Sequence, residues 1–371
     1  MNKWERIRAD YPAANNYVYL TTNGGGPVST PFVQAATTLL TEYSEKGRMV
    51  MPGWDNKAND IRALVATMIR AQASEIAFIN STSHAMSLLY GMFPAHYGII
   101  TMRDEFPTSF VGWLHKGHTL HFVNSDAAGF ISLENIAAQI TPATKILITS
   151  HVMFKTGFRQ QLKEIGALCK QHGIIFIVDA TQSFGVNDID VQECNIDILI
   201  FHAYKWVTAG YGTGAMYVSQ KILDNYPPQV MSWYNVEYET PDFQLVKDYT
   251  AFQPKKDARV FETGTPPYIN IQFLGEALQY LHRIGIPDIE AYVTGLITYF
   301  AQQAAAHNIQ LLTAYPSAHL SAIQRLAITP EQNAKVEQNN VLARYKNNQL
   351  TVALNFYNNR KDIDRLFDAL D

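Results

Sequence analysis

The stretch "IIFIVDATQSFG", residues 174–185, places five successive apolar residues directly before an aspartate. Such a run is typical of a strand that is buried on both faces of a sheet. A carboxylate at the end of a buried strand is costly unless it has a charged or hydrogen-bonding partner. A second stretch, "ILIFHAYKWVTAGYGTGAMYV" at residues 198–218, repeats the pattern but ends its apolar run near a lysine. The question of what partners Asp179 therefore leads to Lys205.

Short apolar runs alternate with helical patterns over the first two thirds of the chain. Helical stretches such as "TPFVQAATTLLTEYSEKG" and "KANDIRALVATMIRA" accompany seven runs: "EIAFINS", "GIITM", "HTLHFVN", "KILITSH", "IIFIVDA", "ILIFHAY" and "GAMYVS". This alternation predicts an α/β fold with a mostly parallel seven-stranded sheet between layers of helices. Ligands of such sheets bind outside the carboxyl ends of the strands, where Asp179 and Lys205 lie.

A change in the sequence pattern near residue 260 predicts a second domain. The chain has 371 residues, and a single core typically accounts for roughly 100 to 200. After "RVFETGTPPYIN" come two long helical runs, then short strands in "SAIQRLAIT" and "NVLARYKNNQLTVALNF", and a last helix in "KDIDRLFDAL". We expect a large domain at residues 1–260 and a smaller α+β domain at residues 261–371.

Composition excludes several classes of partner. A net charge of −4 without clustered Lys or Arg gives no electrostatic footprint for nucleic acid or an anionic membrane, so a small molecule is the expected partner. No apolar run approaches the ~20 residues that span a bilayer, and the polar start "MNKWERIRADYP" does not resemble a secretory signal. We expect a cytoplasmic protein. The two cysteines, Cys169 and Cys194, exclude a disulfide framework and a cysteine-rich metal site, and both are expected to be structural.

Two segments near the strand ends are suited to a phosphate. The loop after Lys205 carries three glycines that let backbone approach a ligand, and His202 and Tyr204 add hydrogen-bond donors. In "FINSTSHAMSLLYG" a strand runs through three hydroxyl residues, 81 to 83, into a helical pattern, and a helix N-terminus favours anions. The alternative for those hydroxyls is plain helix capping.

A phosphate cradle, a lysine and a buried aspartate together fit pyridoxal phosphate (PLP). The lysine amine forms a Schiff base with the cofactor, and the aspartate pairs with the pyridine nitrogen and keeps it protonated. Taken alone, Asp179 and Lys205 could instead form a structural salt bridge. PLP accounts for the pair and for the phosphate site together, so PLP is the expected cofactor.

The sequence also resembles a known family. "VDATQSFGV", followed by the lysine of "YKWVTAGYGTGAMYV", resembles the signature of the class V aminotransferases, PLP enzymes of fold type I. That family includes cysteine desulfurases, kynureninases, and epimerase-like and selenocysteine lyase-like proteins. The segments "YVYLTTNGGGPV", "FINSTSHAMSLL", "DEFPTSFVGW", "SHVMFKTGF", "FETGTPP" and "LNFYNNRKDIDRL" have counterparts in the same order, so the resemblance covers nearly the whole chain.

The resemblance implies roles for individual residues. It makes Lys205 the Schiff-base lysine, Asp179 the partner of the pyridine nitrogen, and Gln182 the residue that hydrogen-bonds the ring hydroxyl. The phosphate-binding positions are matched by Thr82, Ser83, His202 and Tyr204.

Three further residues are matched by the resemblance. Phe106 resembles the aromatic residue that stacks on the pyridine ring in kynureninases. Thr265 resembles a threonine that reaches the phosphate of the neighbouring subunit, which implies a homodimer. Trp233 resembles a tryptophan near the phosphate or substrate, although a core position fits it equally well.

Departures from the family concern the substrate side of the site. Desulfurases carry a cysteine in the last third of the chain, and no cysteine follows residue 194, so persulfide transfer is not expected. Many relatives place an arginine for the substrate carboxylate at the position of Thr351, and Arg344 or Arg159 would have to replace it. Near "SHVMFKTGF" a polar residue of relatives is replaced by Met153 or Phe154, which predicts a more apolar pocket.

These residues identify the cofactor more specifically than they identify the reaction. Our leading hypothesis is a PLP-dependent aminotransferase-like enzyme acting on a small amino acid or amine. The alternative is a C–S or C–C lyase or an epimerase, which would use the same lysine and aspartate. A third hypothesis, from a different class, is a catalytically inactive binding protein with a PLP-enzyme fold.

Overall fold

The computed structural model describes all 371 residues. Its helices are α1 Lys3–Ala9, α2 Pro12–Asn16, α3 Thr30–Lys46, α4 Met51–Ile69, α5 Thr82–Leu89, α6 Val111–His115, α7 Leu133–Ala137, α8 Leu162–His172, α9 Gln220–Asn225, α10 Tyr268–Ile284, α11 Ile286–Ala306, α12 Pro330–Gln338 and α13 Arg360–Leu370. Its strands are β1 Val18–Tyr19, β2 Ile76–Ile79, β3 Gly98–Met102, β4 Leu120–Val123, β5 Thr144–Ser150, β6 Ile175–Asp179, β7 Ile198–His202, β8 Gly214–Val218, β9 Val236–Glu237, β10 Gln253–Pro254, β11 Ile323–Ala327, β12 Val341–Leu342, β13 Arg344–Lys346 and β14 Gln349–Ala353.

The central sheet has seven strands in the order β2-β8-β7-β6-β5-β3-β4. β8 runs antiparallel to both of its neighbours, β2 and β7, and the pairs from β7 to β4 are parallel. The seven apolar runs of the sequence form these seven strands, so the predicted α/β fold with a mostly parallel sheet is confirmed. β5, β6 and β7 lie side by side in the middle of the sheet and end at the same edge.

Helices cover both faces of this sheet, which explains why its strands are largely apolar on both faces. Ile175 and Ile177 of β6 belong to one buried cluster, whereas Phe176 and Val178 belong to the larger cluster on the other face. Alternate residues of a strand point to opposite faces, so a continuous apolar run serves both layers. Asp179 is the first residue of this strand that breaks the run.

A second, antiparallel sheet has the order β11-β14-β13. Along the chain, α12 follows β11 and α13 follows β14. The N-terminal strand β1 pairs in parallel with β12, and Arg8 forms an ion pair with Asp362 at 2.6 Å. The N-terminal segment is thus attached to the C-terminal part of the molecule. The division between residues 260 and 261 stays a prediction.

No helix combines the length and the apolar composition that crossing a membrane requires. The cytoplasmic location stays a prediction. Cys169 is buried and Cys194 is half-buried, and neither forms a disulfide. Burial raises the pKa of the Cys169 thiol to about 12 and that of Cys194 to about 11, which makes both unreactive at neutral pH.

Candidate active site

A cavity of about 350 Å³ lies at the carboxyl ends of β5, β6 and β7. It is the position at which parallel sheets of this kind bind ligands. Of the ten residues predicted to bind the cofactor, eight line it: Thr82, Ser83, Phe106, Asp179, Gln182, His202, Tyr204 and Lys205. Residues from four separate segments of the sequence therefore meet in one place.

Asp179 and Lys205 form the charged part of this cavity. Asp179 ends β6, is buried, and accepts a hydrogen bond from the backbone N–H of Thr181 at 2.8 Å. Burial raises the pKa of Asp179, while the hydrogen bonds of Thr181 and the charge of Lys205 oppose that rise. Burial likewise lowers the pKa of Lys205, opposed by the charge of Asp179. The lysine amine is therefore closer to its neutral, nucleophilic form than an exposed lysine.

Hydroxyl groups surround the start of α5. Ser81 caps the helix by accepting a hydrogen bond from the backbone N–H of His84 at 3.0 Å. The hydroxyls of Thr82 and Thr181 lie 2.9 Å apart, which connects the helix to the end of β6. Ser83 makes a similar contact with Thr108 at 2.9 Å. Ser81 alone provides the cap, which leaves the hydroxyls of Thr82 and Ser83 for a ligand, and their binding of a phosphate stays a prediction.

His202 and Tyr204 form the wall between α5 and the lysine. The Nε2 atom of His202 donates to the carbonyl oxygen of Asn80 at 3.1 Å, and its Nδ1 atom accepts from the backbone N–H of Tyr204 at 3.4 Å. Burial lowers the pKa of His202, so the ring is neutral with its proton on Nε2. The ring of Tyr204 packs edge-on against His202 at 4.6 Å and stacks on Tyr211 at 4.7 Å.

Gln182 is held from both ends of its amide group. Its Oε1 atom accepts from the indole N–H of Trp206 at 2.9 Å, and its Nε2 atom donates to the carbonyl oxygen of Asn23 at 3.1 Å. One N–H of the amide remains for a ligand. The buried Oδ1 atom of Asn23 has no hydrogen-bond partner in the chain, which marks a second polar group available to a ligand.

The loop Gly24–Gly26 packs directly against the lysine. Gly26 donates its backbone N–H to the carbonyl oxygen of Tyr204 at 2.8 Å. A Cβ atom at Gly26 would lie 2.1 Å from the carbonyl oxygen of Lys205, so this close backbone approach requires glycine. The N-terminal segment therefore fixes the position of the lysine backbone.

Phe106 and Phe154 form the apolar side of the cavity. Their rings meet edge-to-face with centroids 5.3 Å apart, and Phe106 is 48% exposed, which is incompatible with a core role. The buried Glu105 accepts hydrogen bonds from the backbone N–H and the hydroxyl of Ser150 at 2.5 and 2.6 Å and so anchors the segment that carries Phe106. Phe154, rather than the buried Met153, faces the cavity.

Two predicted residues do not reach the cavity in this chain. Thr265 is exposed in the segment before α10, and Trp233 is 48% exposed and packs edge-on against Phe243 and Tyr234. The core position considered for Trp233 is therefore wrong, because almost half of the side chain faces solvent. Their roles in binding stay predictions.

Four lining residues were not anticipated from the sequence: Thr108, Ser150, Thr181 and Tyr211. Ser150 ends β5 directly beside Asp179, so the rule of strand ends that selected Asp179 applies to it as well. Thr181 and Tyr211 lie inside the two stretches that the sequence singled out. Thr108 lies two residues after Phe106 in the segment "DEFPTSFVGW", but only the fold brings its hydroxyl to Ser83.

The donor set of the cavity fits PLP. Hydroxyls at a helix N-terminus suit a phosphate, the exposed face of Phe106 suits an aromatic ring, and a buried carboxylate without an ion pair suits a protonated ring nitrogen. A lysine of lowered pKa suits an aldehyde. The fold and the site together define a PLP-dependent enzyme of fold type I.

The comparison with protein families agrees. The model of the Aminotransferase class-V family matches residues 18–346, and the chain belongs to this family. It is a PLP-dependent enzyme, a transferase or a lyase, and the hypothesis of an inactive binding protein loses its support.

Individual relatives are similar over most of their length. A probable cysteine desulfurase of Methanothermobacter thermautotrophicus is 28% identical over 78% of this chain and 72% of its own. An uncharacterized aminotransferase of Bacillus subtilis is 24% identical over 99% of this chain and 97% of its own. Among solved structures, the apo cysteine desulfurase of Thermococcus onnurineus has a TM-score of 0.87 at 21% identity, covering 99% of this chain and 97% of that chain. That similarity confirms the fold.

Proposed function

We propose that the chain carries out amino-group chemistry on a small amino acid or amine through PLP attached to Lys205, with transamination as the default reaction. The observation that carries this proposal is the convergence of Lys205, Asp179 and the hydroxyl cradle of α5 in one cavity. No other basic residue lines that cavity apart from His202, so Lys205 is the one amine that can hold the aldehyde.

Lys205 has two tasks. Its amine binds the cofactor between turnovers, and once released it can take a proton from the substrate carbon next to the amino group, for which its lowered pKa suits it. PLP, when bound, supplies the electron sink that makes this proton removable. With PLP bound, Lys205 would carry this proton away from the substrate carbon in amino transfer, whereas epimerisation would require a proton to reach the opposite face of that carbon.

The other residues bind and orient. Asp179 is placed to keep the ring nitrogen protonated, and Gln182 offers its remaining N–H to the ring hydroxyl. The aromatic face of Phe106 is available for stacking. The phosphate would be held by Thr82, Ser83, His202 and Tyr204.

A homodimer is part of this proposal. Thr265 and Trp233 lie on the surface, and in a dimer they could extend into the cavity of the second copy of the chain. Tyr211, which lines the cavity, is 74% exposed, so the mouth of the site presents aromatic surface to solvent.

A carbon–sulfur lyase is the second candidate. The relatives include proteins named as cysteine desulfurases, and a complex of the cystine C–S lyase C-DES with cysteine persulfide is similar in fold, with a TM-score of 0.85 at 19% identity over 97% of this chain and 98% of that chain. In this chain neither Cys169 nor Cys194 lines the cavity, so a lyase reaction would release its sulfur product rather than pass it to a cysteine.

The visible absorption spectrum of the purified, PLP-supplemented protein tests the proposal. We expect a yellow band that borohydride removes, with a pyridoxyl mass left on Lys205. Lys205→Ala should abolish this attachment, and Lys116→Ala, a change at an exposed lysine, should leave it intact. A reducible adduct that persists in Lys205→Ala would contradict the assignment.

Product analysis separates the two reactions. Incubation with a panel of amino acids should give a keto acid and an aminated cofactor in equal amounts if the chain transfers amino groups. Release of ammonia or sulfide with regeneration of the starting spectrum would favour the lyase.

A further inference from the structure

A second cavity of about 320 Å³ adjoins the first and shares Phe154 with it. Four basic residues line it: Lys155, Arg325, Arg344 and Lys346. We refer to this cavity as the cationic chamber. It has no acidic residue in its lining, and none of the residues assigned to the cofactor takes part in it.

Strand register brings two of its arginines to the two sides of Thr351. In the small sheet, Thr351 of β14 lies opposite Arg325 of β11 and opposite Arg344 of β13. Residues directly opposite on neighbouring strands project from the same face. The register is set by the turn Asn347–Asn348, where both residues have a positive φ (53° and 57°), as a tight two-residue hairpin requires.

Most of the positive charge in the chamber is not neutralised by the protein. None of the ion pairs of the chain involves Arg325, Arg344 or Lys346. Lys155 is paired with Asp104 at 2.5 Å. Arg325, Arg344 and Lys346 repel one another with no carboxylate at ion-pair distance, the charge of Asp104 acting only on Arg325 from farther away, and an anion bound among them relieves this cost.

Arg159, the other candidate to replace the substrate-binding arginine of relatives, is paired with other groups of the protein. It forms an ion pair with Glu290 at 2.8 Å, donates to the carbonyl oxygen of Ala318 at 3.1 Å, and lines neither cavity.

We propose that the cationic chamber binds the acidic end of the substrate, and that the substrate is an amino compound with two anionic groups. This rests on the proposed function, because the amino group must reach Lys205 in the adjoining cavity. One guanidinium suffices to bind one carboxylate through two parallel hydrogen bonds. Arg325 and Arg344 provide two such groups, with Lys346 as a third charge.

The small side chain of Thr351 is part of this arrangement. It leaves open the space between the two guanidinium groups, so that a ligand rather than a protein side chain can occupy it. Arg325 is half-buried, and its only side-chain hydrogen bond within the chain goes to Gln349, so four of its five N–H donors remain for a ligand.

Equilibrium binding of two four-carbon acids tests the proposal without turnover. Succinate carries two carboxylates and butyrate one, and neither has an amino group that could react at Lys205, so titration calorimetry measures binding alone and the arginine variants assign it to the chamber. We expect PLP-loaded protein to bind succinate at least tenfold more tightly than butyrate. Arg344→Gln and Arg325→Gln should each weaken succinate binding by about 10- to 100-fold, as expected for lost charge-assisted hydrogen bonds. Arg6→Gln, which removes an exposed arginine on α1, is the matched control and should change nothing.

The outcomes separate this inference from the proposed function. Equal affinity for succinate and butyrate in the wild-type protein would contradict the proposed role of the cationic chamber, even if PLP is attached to Lys205. Succinate binding that Arg344→Gln and Arg325→Gln leave unchanged would do the same. A protein that binds succinate selectively but never takes up PLP would overturn the proposed function and leave the chamber intact. Once a substrate is known, the same two variants should raise KM with little change in kcat.

Discussion

Asp179 is the only acidic residue in the lining of the cofactor cavity, so its charge has no substitute nearby. We predict that Asp179→Asn preserves the fold and the attachment of PLP to Lys205 but lowers kcat/KM by about 10²- to 10⁴-fold, because an amide cannot keep the ring nitrogen protonated. Steady-state kinetics and the absorption spectrum measure the two effects separately. Asp224→Asn on exposed α9 is the control. Full activity of Asp179→Asn would assign the aspartate to a purely structural role.

His151, just after β5, couples the fold to pH. Burial and the charge of Arg159 lower the pKa of its imidazole from 6.5 to about 3, so the folded protein keeps this ring neutral. Below pH 6.5 the unfolded chain binds a proton that the folded chain does not, and stability is lost as pH falls toward 3. A single group of this kind contributes about 1.4 kcal/mol per pH unit. We measure the free energy of unfolding by denaturant at several pH values between 6.5 and 4.5. This free energy should fall less steeply with decreasing pH in His151→Phe than in the wild-type protein, and equally steeply in His172→Gln, a change at an exposed histidine. An unchanged slope in His151→Phe would contradict the assignment.

At the scale of elements, the loop Gly24–Gly26 and the lysine segment form one unit. We predict that Gly26→Ala displaces the backbone of Lys205, because the added Cβ would lie 2.1 Å from its carbonyl oxygen and 2.8 Å from Thr208. PLP occupancy should fall by at least tenfold, since a shift of one ångström suffices to misalign such a site. Gly24→Ala is a matched control two residues away, where the nearest atoms lie 3.5 Å from the added carbon. PLP titration followed by absorbance measures both. Equal occupancy in both variants would show that the loop does not position the lysine.

The elements differ in how far the sequence could predict them. The seven strands of the large sheet could be read from apolar runs because each strand is buried on both faces. The antiparallel direction of β8 could not be predicted, because an apolar run does not indicate which way its strand runs in the sheet. The pairing of β1 with β12 joins residues 18–19 to residues 341–342, and two-residue strands carry no periodic signal. The same limit applies to the site. Asp179 follows from its own strand, whereas Arg325 reaches Thr351 only through the register of the small sheet.

At the scale of the whole molecule, exposed aromatic side chains outside the cavity favour association with a second copy. The segment between α9 and α10 exposes several of them: Trp233, Phe243, Tyr249 and Phe252. Three of them pack on one another, with the ring centroids of Trp233 and Phe243 5.4 Å apart and those of Phe243 and Tyr249 4.9 Å apart. Exposed apolar surface of this kind marks an interaction site. A dimer would cover it and could supply Thr265 to the cavity of its partner.

Complementation between two chains that are altered at different residues tests whether the subunits share their sites. Lys205→Ala removes the reactive amine, and the double variant Thr265→Ala/Trp233→Ala removes the groups that we expect to act in the partner's cavity. If these groups cross the interface, a mixed dimer has one cavity with both changes and one with neither. Co-refolding the double variant with excess Lys205→Ala chain should therefore raise the activity per intact Lys205 toward the wild-type value, because almost every intact lysine is then paired with an unaltered Thr265. Sedimentation establishes that dimers are present. Activity per Lys205 that stays at the level of the double variant alone would show that each site is built from a single chain.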